Sequence, residues 1–85
     1  MTHAVKTWKQ YFIAQENGYK LFELRKNDRN YKVGDTFISQ EYDQNKGEYT
    51  GKETAYRISY VLTEASDFGL KKGYCILQLK EIEPS

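Results

Sequence analysis

The fold is set by residues 18–35, which read Gly18-Tyr-Lys20-Leu-Phe-Glu23-Leu-Arg25-Lys-Asn27-Asp28-Arg29-Asn-Tyr31-Lys-Val-Gly34-Asp35. A helical pattern ends at the first glycine, and charged residues then alternate with apolar ones, which is typical of a strand. Side chains two positions apart in a strand share a face, so Glu23 and Arg25 point one way and Phe22 and Leu24 the other. The stretch predicts a strand with one charged face, followed by a polar turn at residues 27–30.

The same stretch resembles a known family. Gly18-x-Lys20-x-x-Glu23-x-Arg25 matches the G-x-K-x-x-E-x-R signature of ASCH domains, a branch of the PUA-like superfamily. The longer phrase, residues 22–35, is similar to the hallmark of a small ASCH-like family of bacteria and phages whose function is unknown. The resemblance implies a small β-barrel and places this motif at the rim of a ligand cleft.

The rest of the chain is consistent with that fold. Period-two alternation and turn residues predict strands at 3–7, 20–26, 36–42, 53–62 and 74–82. Trp8, Tyr11, Phe12 and Gln15 recur at helical spacing and predict a helix at 8–17, with a hairpin loop at 43–47, a longer loop at 64–73 and a tail at 83–85. We therefore expect an α+β, mainly β class: a PUA-like/ASCH β-barrel of about five strands with one main helix, in a single domain, 1–85.

Two alternating patterns assign residues to the core. Tyr56, Ile58, Tyr60 and Leu62 share one face of the 53–62 strand, and we expect that face to point inward. In the last strand, Cys75, Leu77 and Leu79 are expected to face the core, where a lone cysteine acts as a small apolar residue.

Composition narrows the functional classes. The chain has 85 residues and a net charge of +1, but its first 34 residues carry seven basic and three acidic side chains. A basic face on a near-neutral protein is therefore expected. The sequence shows no signal peptide, no apolar run of bilayer length, no phosphate-binding glycine loop and no metal-ligand spacing. These observations predict a cytoplasmic protein without membrane, metal or cofactor, and they leave the oligomeric state open.

The candidate ligand-binding residues cluster around the motif. They are Lys6, Lys20, Glu23, Arg25, Asn27, Asp28 and Arg29, with His3 nearby in a structural role. A carboxylate held between cations stays ionised and orients its neighbours, so Glu23 would aim Lys20 and Arg25 at phosphates or base edges. The alternative is a surface lattice of ion pairs that contributes little.

The aromatic content also bears on function. Eight tyrosines and one tryptophan are many for this length, and Tyr31, Tyr42, Tyr49 and Tyr74 lie near predicted turns. Exposed aromatic rings beside basic groups suit stacking on unpaired bases. We expect two or three of these rings at the cleft, and we expect packing to account for Trp8, Tyr11 and Phe12.

Three functional hypotheses follow. The first is binding of RNA or a modified nucleotide in a cationic cleft beside the helix. The second is an enzyme, since one ASCH branch hydrolyses acetylated cytidine, and the third is a protein-interaction module of phage origin. In the hydrolase branch the nucleophile is a threonine three positions after the motif lysine. That position is Glu23 here, and Glu41, Glu48 and Glu53 are not distinguished as its partner, so no catalytic residue is assigned and no turnover is predicted.

Overall fold

The computed structural model describes residues 1–82 as a mainly β domain. Its elements are β1 (Thr2–Trp8), α1 (Lys9–Glu16), β2 (Phe22–Lys26), β3 (Thr36–Asp43), β4 (Glu48–Leu62) and β5 (Tyr74–Glu81), with a 3₁₀ turn at Ser66–Phe68. The predicted class, five strands and one main helix, is confirmed, although β4 begins five residues earlier than expected and β2 two residues later. The predicted tail at 83–85 lies outside the described residues.

The five strands form one curled sheet in the order β1-β3-β4-β5-β2. β1 pairs with β3 in parallel, and the other neighbours pair antiparallel. The result is a half-barrel, because the edge strands β1 and β2 do not pair with each other. We call the gap between these two edges the seam.

Two arginines span the seam. Nη1 of Arg25 donates to the backbone carbonyl of Lys6 at 3.3 Å, and Nη1 of Arg29 donates to that of Ala4 at 3.0 Å. Both arginines come from β2 or the turn after it, and both acceptors belong to the unpaired edge of β1. Side chains thus provide hydrogen bonds where a closed barrel would have backbone pairing.

The end of α1 directs the chain into β2. The helix ends before Gly18, as predicted. Gly18 adopts a left-handed backbone (φ 77°), and its N–H donates to the carbonyl of Gln15. The N–H of Tyr19 donates to the carbonyl of Ala14 at 2.9 Å, which completes a Schellman motif. After this tight stop the chain enters β2 within a few residues, and Glu23 comes within hydrogen-bonding distance of Gln15.

The apolar core lies inside the curl of the sheet. Its members are Val5, Tyr31, Phe37, Tyr56, Ile58, Cys75, Leu77 and Leu79. The inward orientation predicted for Cys75, Leu77 and Leu79 is confirmed. Tyr31, which the sequence placed among exposed turn aromatics, is instead 5% exposed and packs on His3 and Phe37.

A β-bulge in β4 overturns one prediction. Ile58 pairs with Leu79 but Tyr60 pairs with Gln78, so Ser59 is an extra residue in the strand. The insertion reverses the alternation that follows it. Tyr60 and Leu62, predicted to face the core with Tyr56 and Ile58, are therefore exposed, and Val61 packs against the core instead.

No helix within residues 1–82 is both long enough and apolar enough to cross a bilayer.

Candidate ligand cleft at the seam

A concave surface of about 700 Å³ lies at the seam. We call it the seam cleft, and it is formed by the end of β1, the first turn of α1, the chain before β2, β2 itself and the start of β5. Its lining residues are Lys6, Thr7, Trp8, Tyr11, Lys20, Phe22, Glu23, Leu24, Arg25, Lys26 and Tyr74. The volume is within the usual range for a small-molecule site.

Glu23 is the buried carboxylate of this cleft. It is 5% exposed, because it lies opposite Leu77 on the inner face of the sheet. Nζ of Lys20 donates to Oε1 at 2.9 Å, and Nη1 of Arg25 donates to Oε2 at 3.0 Å. Since each carboxylate oxygen has its own cation, Glu23 fixes the position of both.

The buried Gln15 side chain connects Glu23 to Ser39 of β3 through hydrogen bonds. Nε2 of Gln15 donates to Oε1 of Glu23 at 2.7 Å, and Oε1 of Gln15 accepts from the Ser39 hydroxyl at 2.7 Å. Gln15 is 1% exposed and Ser39 is fully buried. The chain of bonds therefore joins β3, α1 and β2 beneath the cleft, and it gives the buried carboxylate the partners that it needs.

The cleft is cationic although the whole chain is nearly neutral. Its lining contains four basic side chains (Lys6, Lys20, Arg25 and Lys26) and one acidic side chain, Glu23. The Lys20 ammonium also bonds the carbonyl of Phe22 at 2.8 Å, which holds it at the rim. An excess of positive charge in a concave surface attracts anionic ligands.

Aromatic rings form the exposed walls of the cleft. Trp8 and Tyr11 are 48% and 46% exposed, and their rings are parallel within 10° at a centroid distance of 6.3 Å. Nζ of Lys20 lies 5.3 Å from the Tyr11 ring and 4.9 Å from the Phe22 ring. Apolar faces and a cation therefore occur together, which is the arrangement that binds planar anionic ligands.

The prediction that packing accounts for the helical aromatics is thus only partly right. Phe12 is 1% exposed and fills the space beneath α1. Trp8 and Tyr11 are half-exposed because the strand-to-helix junction turns them towards the seam. Of the turn tyrosines, Tyr74 lines the cleft, whereas Tyr42 and Tyr49 pack edge-to-face beneath the Lys6 ammonium.

Thr7 contributes a buried hydroxyl without a partner. The residue is 2% exposed and lines the cleft, and its Oγ1 has no hydrogen-bond partner. It points inward with His3 and Val5, as the alternation of β1 requires. A buried hydroxyl without a partner is unfavourable, so a ligand that supplied one would gain from it.

The structure brings together four of the seven candidate residues. Lys6, Lys20, Glu23 and Arg25 line the seam cleft. The other three, Asn27, Asp28 and Arg29, follow β2 and do not line it. Asn27 instead lines a separate depression with the 63–74 segment.

Arg29 and Asp28 have other surroundings. The Arg29 side chain donates a hydrogen bond across the seam to the backbone carbonyl of Ala4. Asp28 is exposed, and its backbone N–H closes a tight turn onto the carbonyl of Lys26.

His3, for which a structural role is predicted, is buried and paired with Asp35. It is 4% exposed, and Nε2 lies 2.8 Å from Oδ2 of Asp35. This bond is the largest cause of a lowered pKa for Asp35, about 2 instead of 3.8. Among residues 1–82, no three His, Cys, Asp or Glu side chains converge in a way that could hold a metal ion.

Sequence reasoning missed the polar residues beneath the cleft. Gln15 was placed on the buried helical stripe, and its polar side chain in an otherwise apolar set was the available signal for a buried partner. Thr7 occupies an inward position of β1, and only the three-dimensional arrangement shows that its hydroxyl lacks a partner. The exposure of Phe22 (49%) and Leu24 (59%) was likewise not readable from alternation, which does not say which face is buried.

The comparisons with known proteins show a family but do not assign a function. The chain is 44% identical over 66 residues to an uncharacterized 12.9 kDa protein in the GpA 3'region of Escherichia phage P2, an alignment that covers 78% of this chain. The chain spans 58% of that relative's length. A family model described as a domain of unknown function, DUF3850, matches residues 2–79, and the chain belongs to that family.

Proposed function

We propose that this domain binds single-stranded RNA or a nucleotide in the seam cleft. The observation that carries the proposal is the Lys20–Glu23–Arg25 cluster beside exposed aromatic rings in one cavity. The cations suit phosphate groups, and the rings suit unpaired bases. A duplex would hide its base faces from these rings, so the unpaired form is the better match.

The electrostatic arrangement supports binding more than catalysis. Glu23 accepts hydrogen bonds from Gln15, Lys20 and Arg25, so its oxygens are already occupied by donors. A carboxylate in that position orients cations and is poorly placed to accept a proton from a substrate. The nucleoside amidohydrolase alternative therefore has no assigned nucleophile or base here.

We also propose that the domain is an ASCH/PUA-like relative. The basis is the Gly18-x-Lys20-x-x-Glu23-x-Arg25 motif together with a five-stranded curled sheet and one helix. This assignment favours RNA or a modified nucleotide as the ligand class. It is independent of DUF3850 membership, which carries no ligand information.

The intrinsic fluorescence of Trp8 tests the proposal directly. The chain has one tryptophan, and it lines the cleft, so base stacking in the cleft should quench or shift its emission. We expect saturable changes with single-stranded RNA and weaker ones with duplex RNA, and the affinity should fall steeply with salt. Chemical-shift mapping with the same RNA should move the amides of residues 6–8 and 20–26.

Two results would contradict the proposal. Saturable binding with shifts confined to the 63–74 segment would place the ligand elsewhere. Absence of binding to single-stranded RNA, transfer RNA and free nucleotides, with salt-insensitive binding of a protein partner, would favour the interaction-module alternative.

A further inference from the structure

The Thr7 hydroxyl is a buried polar group that the free protein leaves without a partner. The residue is 2% exposed, and Oγ1 has under 1 Å² of accessible surface. The other polar side chains beneath the cleft are satisfied: Glu23 has three donors, Gln15 has two partners, and Ser39 donates to Gln15. Thr7 is therefore an exception beside a completed network, and among the described residues the Tyr31 hydroxyl is the other buried side-chain atom without a partner.

The neighbouring polar residue on β3 does not supply a hydrogen-bond partner to the Thr7 hydroxyl. Thr7 pairs in register with Glu41, which is 4% exposed and faces the same side of the sheet. Oε1 of Glu41 accepts instead from the Thr50 hydroxyl at 2.6 Å. The inner surface at this end of the sheet is thus lined by hydrogen-bonding groups. Glu41 has a partner, and the Thr7 hydroxyl does not.

We infer that the Thr7 hydroxyl reads the edge of a single unstacked nucleobase inserted into the seam cleft. This inference rests on the proposed function and names the part of the ligand that enters the cavity. The base edge supplies the missing partner to Oγ1, the base face packs on the aromatic wall, and the phosphate remains near the lysines at the rim. A base carries donors and acceptors on its edge, whereas an alkyl or purely aromatic group would leave the hydroxyl unsatisfied.

Reaching Oγ1 requires a small rearrangement. Because water does not reach this atom, a side chain of the cleft must rotate when the base enters. Lys20 and Arg25 line the same cleft, their side chains are only 17% and 27% exposed, and both are held by Glu23, so the base must draw at least one of them off that carboxylate. Phosphate offers both cations an alternative partner as they move.

Replacement of Thr7 by valine tests the inference, because valine has the same shape without the hydroxyl. In the free protein, removal of an unsatisfied buried hydroxyl should raise the melting temperature by about 5 °C. In titrations of Trp8 fluorescence with the four ribonucleoside 5′-monophosphates, the wild type should prefer one base. T7V should lose about tenfold in affinity for that base and little for the others.

Matched variants separate this effect from general damage. T7S keeps a hydroxyl and should retain the base preference. T50V removes a hydroxyl that has a partner, and it should lower the melting temperature because Glu41 loses a donor. Opposite shifts for T7V and T50V would show that the two hydroxyls differ in the way the structure describes.

The outcomes separate a failure of this inference from a failure of the proposed function. A melting temperature that is unchanged or lowered in T7V would mean that Oγ1 has a partner in the free protein, and the inference would be overturned. An unchanged base preference in T7V, with RNA still bound, would also overturn it while the proposed function stands. No binding of any nucleotide or RNA by the wild type would overturn both.

Discussion

The side-chain amide of Gln15 donates a hydrogen bond of 2.7 Å to the buried carboxylate of Glu23, eight residues further along the chain. The bond joins the last turn of α1 to the second residue of β2, across the helix stop at Gly18. Its consequence is that the helix determines where Glu23 lies, and Glu23 determines where the cations of the cleft lie. The cleft is therefore built on a rigid element rather than on a loop.

Replacement of Glu23 by alanine should destabilise the domain by about 3 kcal/mol, because it leaves Lys20, Arg25 and the Gln15 amide without their acceptor. Urea unfolding followed by circular dichroism would measure the change. Glu16→Ala, an exposed carboxylate at the end of the same helix, is the matched control and should change stability by under about 0.5 kcal/mol. Equal effects of the two substitutions would show that Glu23 is not held as described.

Lys6→Ala combined with Lys26→Ala should weaken RNA binding and flatten its salt dependence, with little loss of stability. Neither side chain contacts Glu23, and each lost phosphate contact should lower the slope of log K against log salt by about 0.7 for a single strand. The control is Lys52→Ala with Lys80→Ala, which removes the same charge from exposed positions that do not line the cleft. An identical slope in both double variants would argue for a non-specific electrostatic effect.

Lys20→Ala with Arg25→Ala should also weaken RNA binding, but it should cost stability as well. Both side chains compensate the buried charge of Glu23, so the double variant leaves that charge unpaired. Adding Glu23→Gln to the pair should recover part of the lost stability without restoring binding. Recovery of binding in the triple variant would mean that the cations act only by supporting the fold.

Lowering the pH should remove the contribution of Asp35 to the free energy of unfolding. The hydrogen bond with His3 holds the pKa of Asp35 at about 2, below its usual value of 3.8. A lowered pKa in the folded state stabilises the protein above pH 3.8, and this contribution is lost as the pH falls through about 2. In Asp35→Asn, we expect lower stability at neutral pH and a flatter dependence between pH 4 and pH 2, measured by unfolding at fixed pH. If the stability of Asp35→Asn fell between pH 4 and pH 2 as steeply as that of the wild type, Asp35 would not be the source of the pH dependence.

Cys75 should be unreactive in the folded protein. It is fully buried, and burial raises the pKa of its thiol, so both access and thiolate formation are suppressed. Labelling with a chromogenic disulfide should proceed only as fast as the domain unfolds, and the unfolded chain in denaturant serves as the reactive control. Rapid stoichiometric labelling without denaturant would contradict the packing of β5.

Local sequence patterns predicted the number and order of the main elements and much of the motif's geometry. The Gly18 stop, the period-two alternation of β5 and the adjacency of Glu23 and Arg25 on one face follow from local backbone rules, which is why they were predictable. The cationic character of the first 34 residues was equally visible, since charge is a property of composition.

Which strand faces are buried, and which distant residues meet, depends on packing in three dimensions. The bulge at Ser59 exposes Tyr60 and Leu62, because a single inserted residue reverses the alternation, and no local signal marks it. The burial of Glu23 depends on Gln15, Lys20 and Arg25 arriving together, which requires the Schellman turn and the curl of the sheet. The lack of a partner for the Thr7 hydroxyl is likewise a property of the assembled fold. Satisfaction of a hydrogen bond depends on every neighbour in space, whereas alternation along a strand reports only direction.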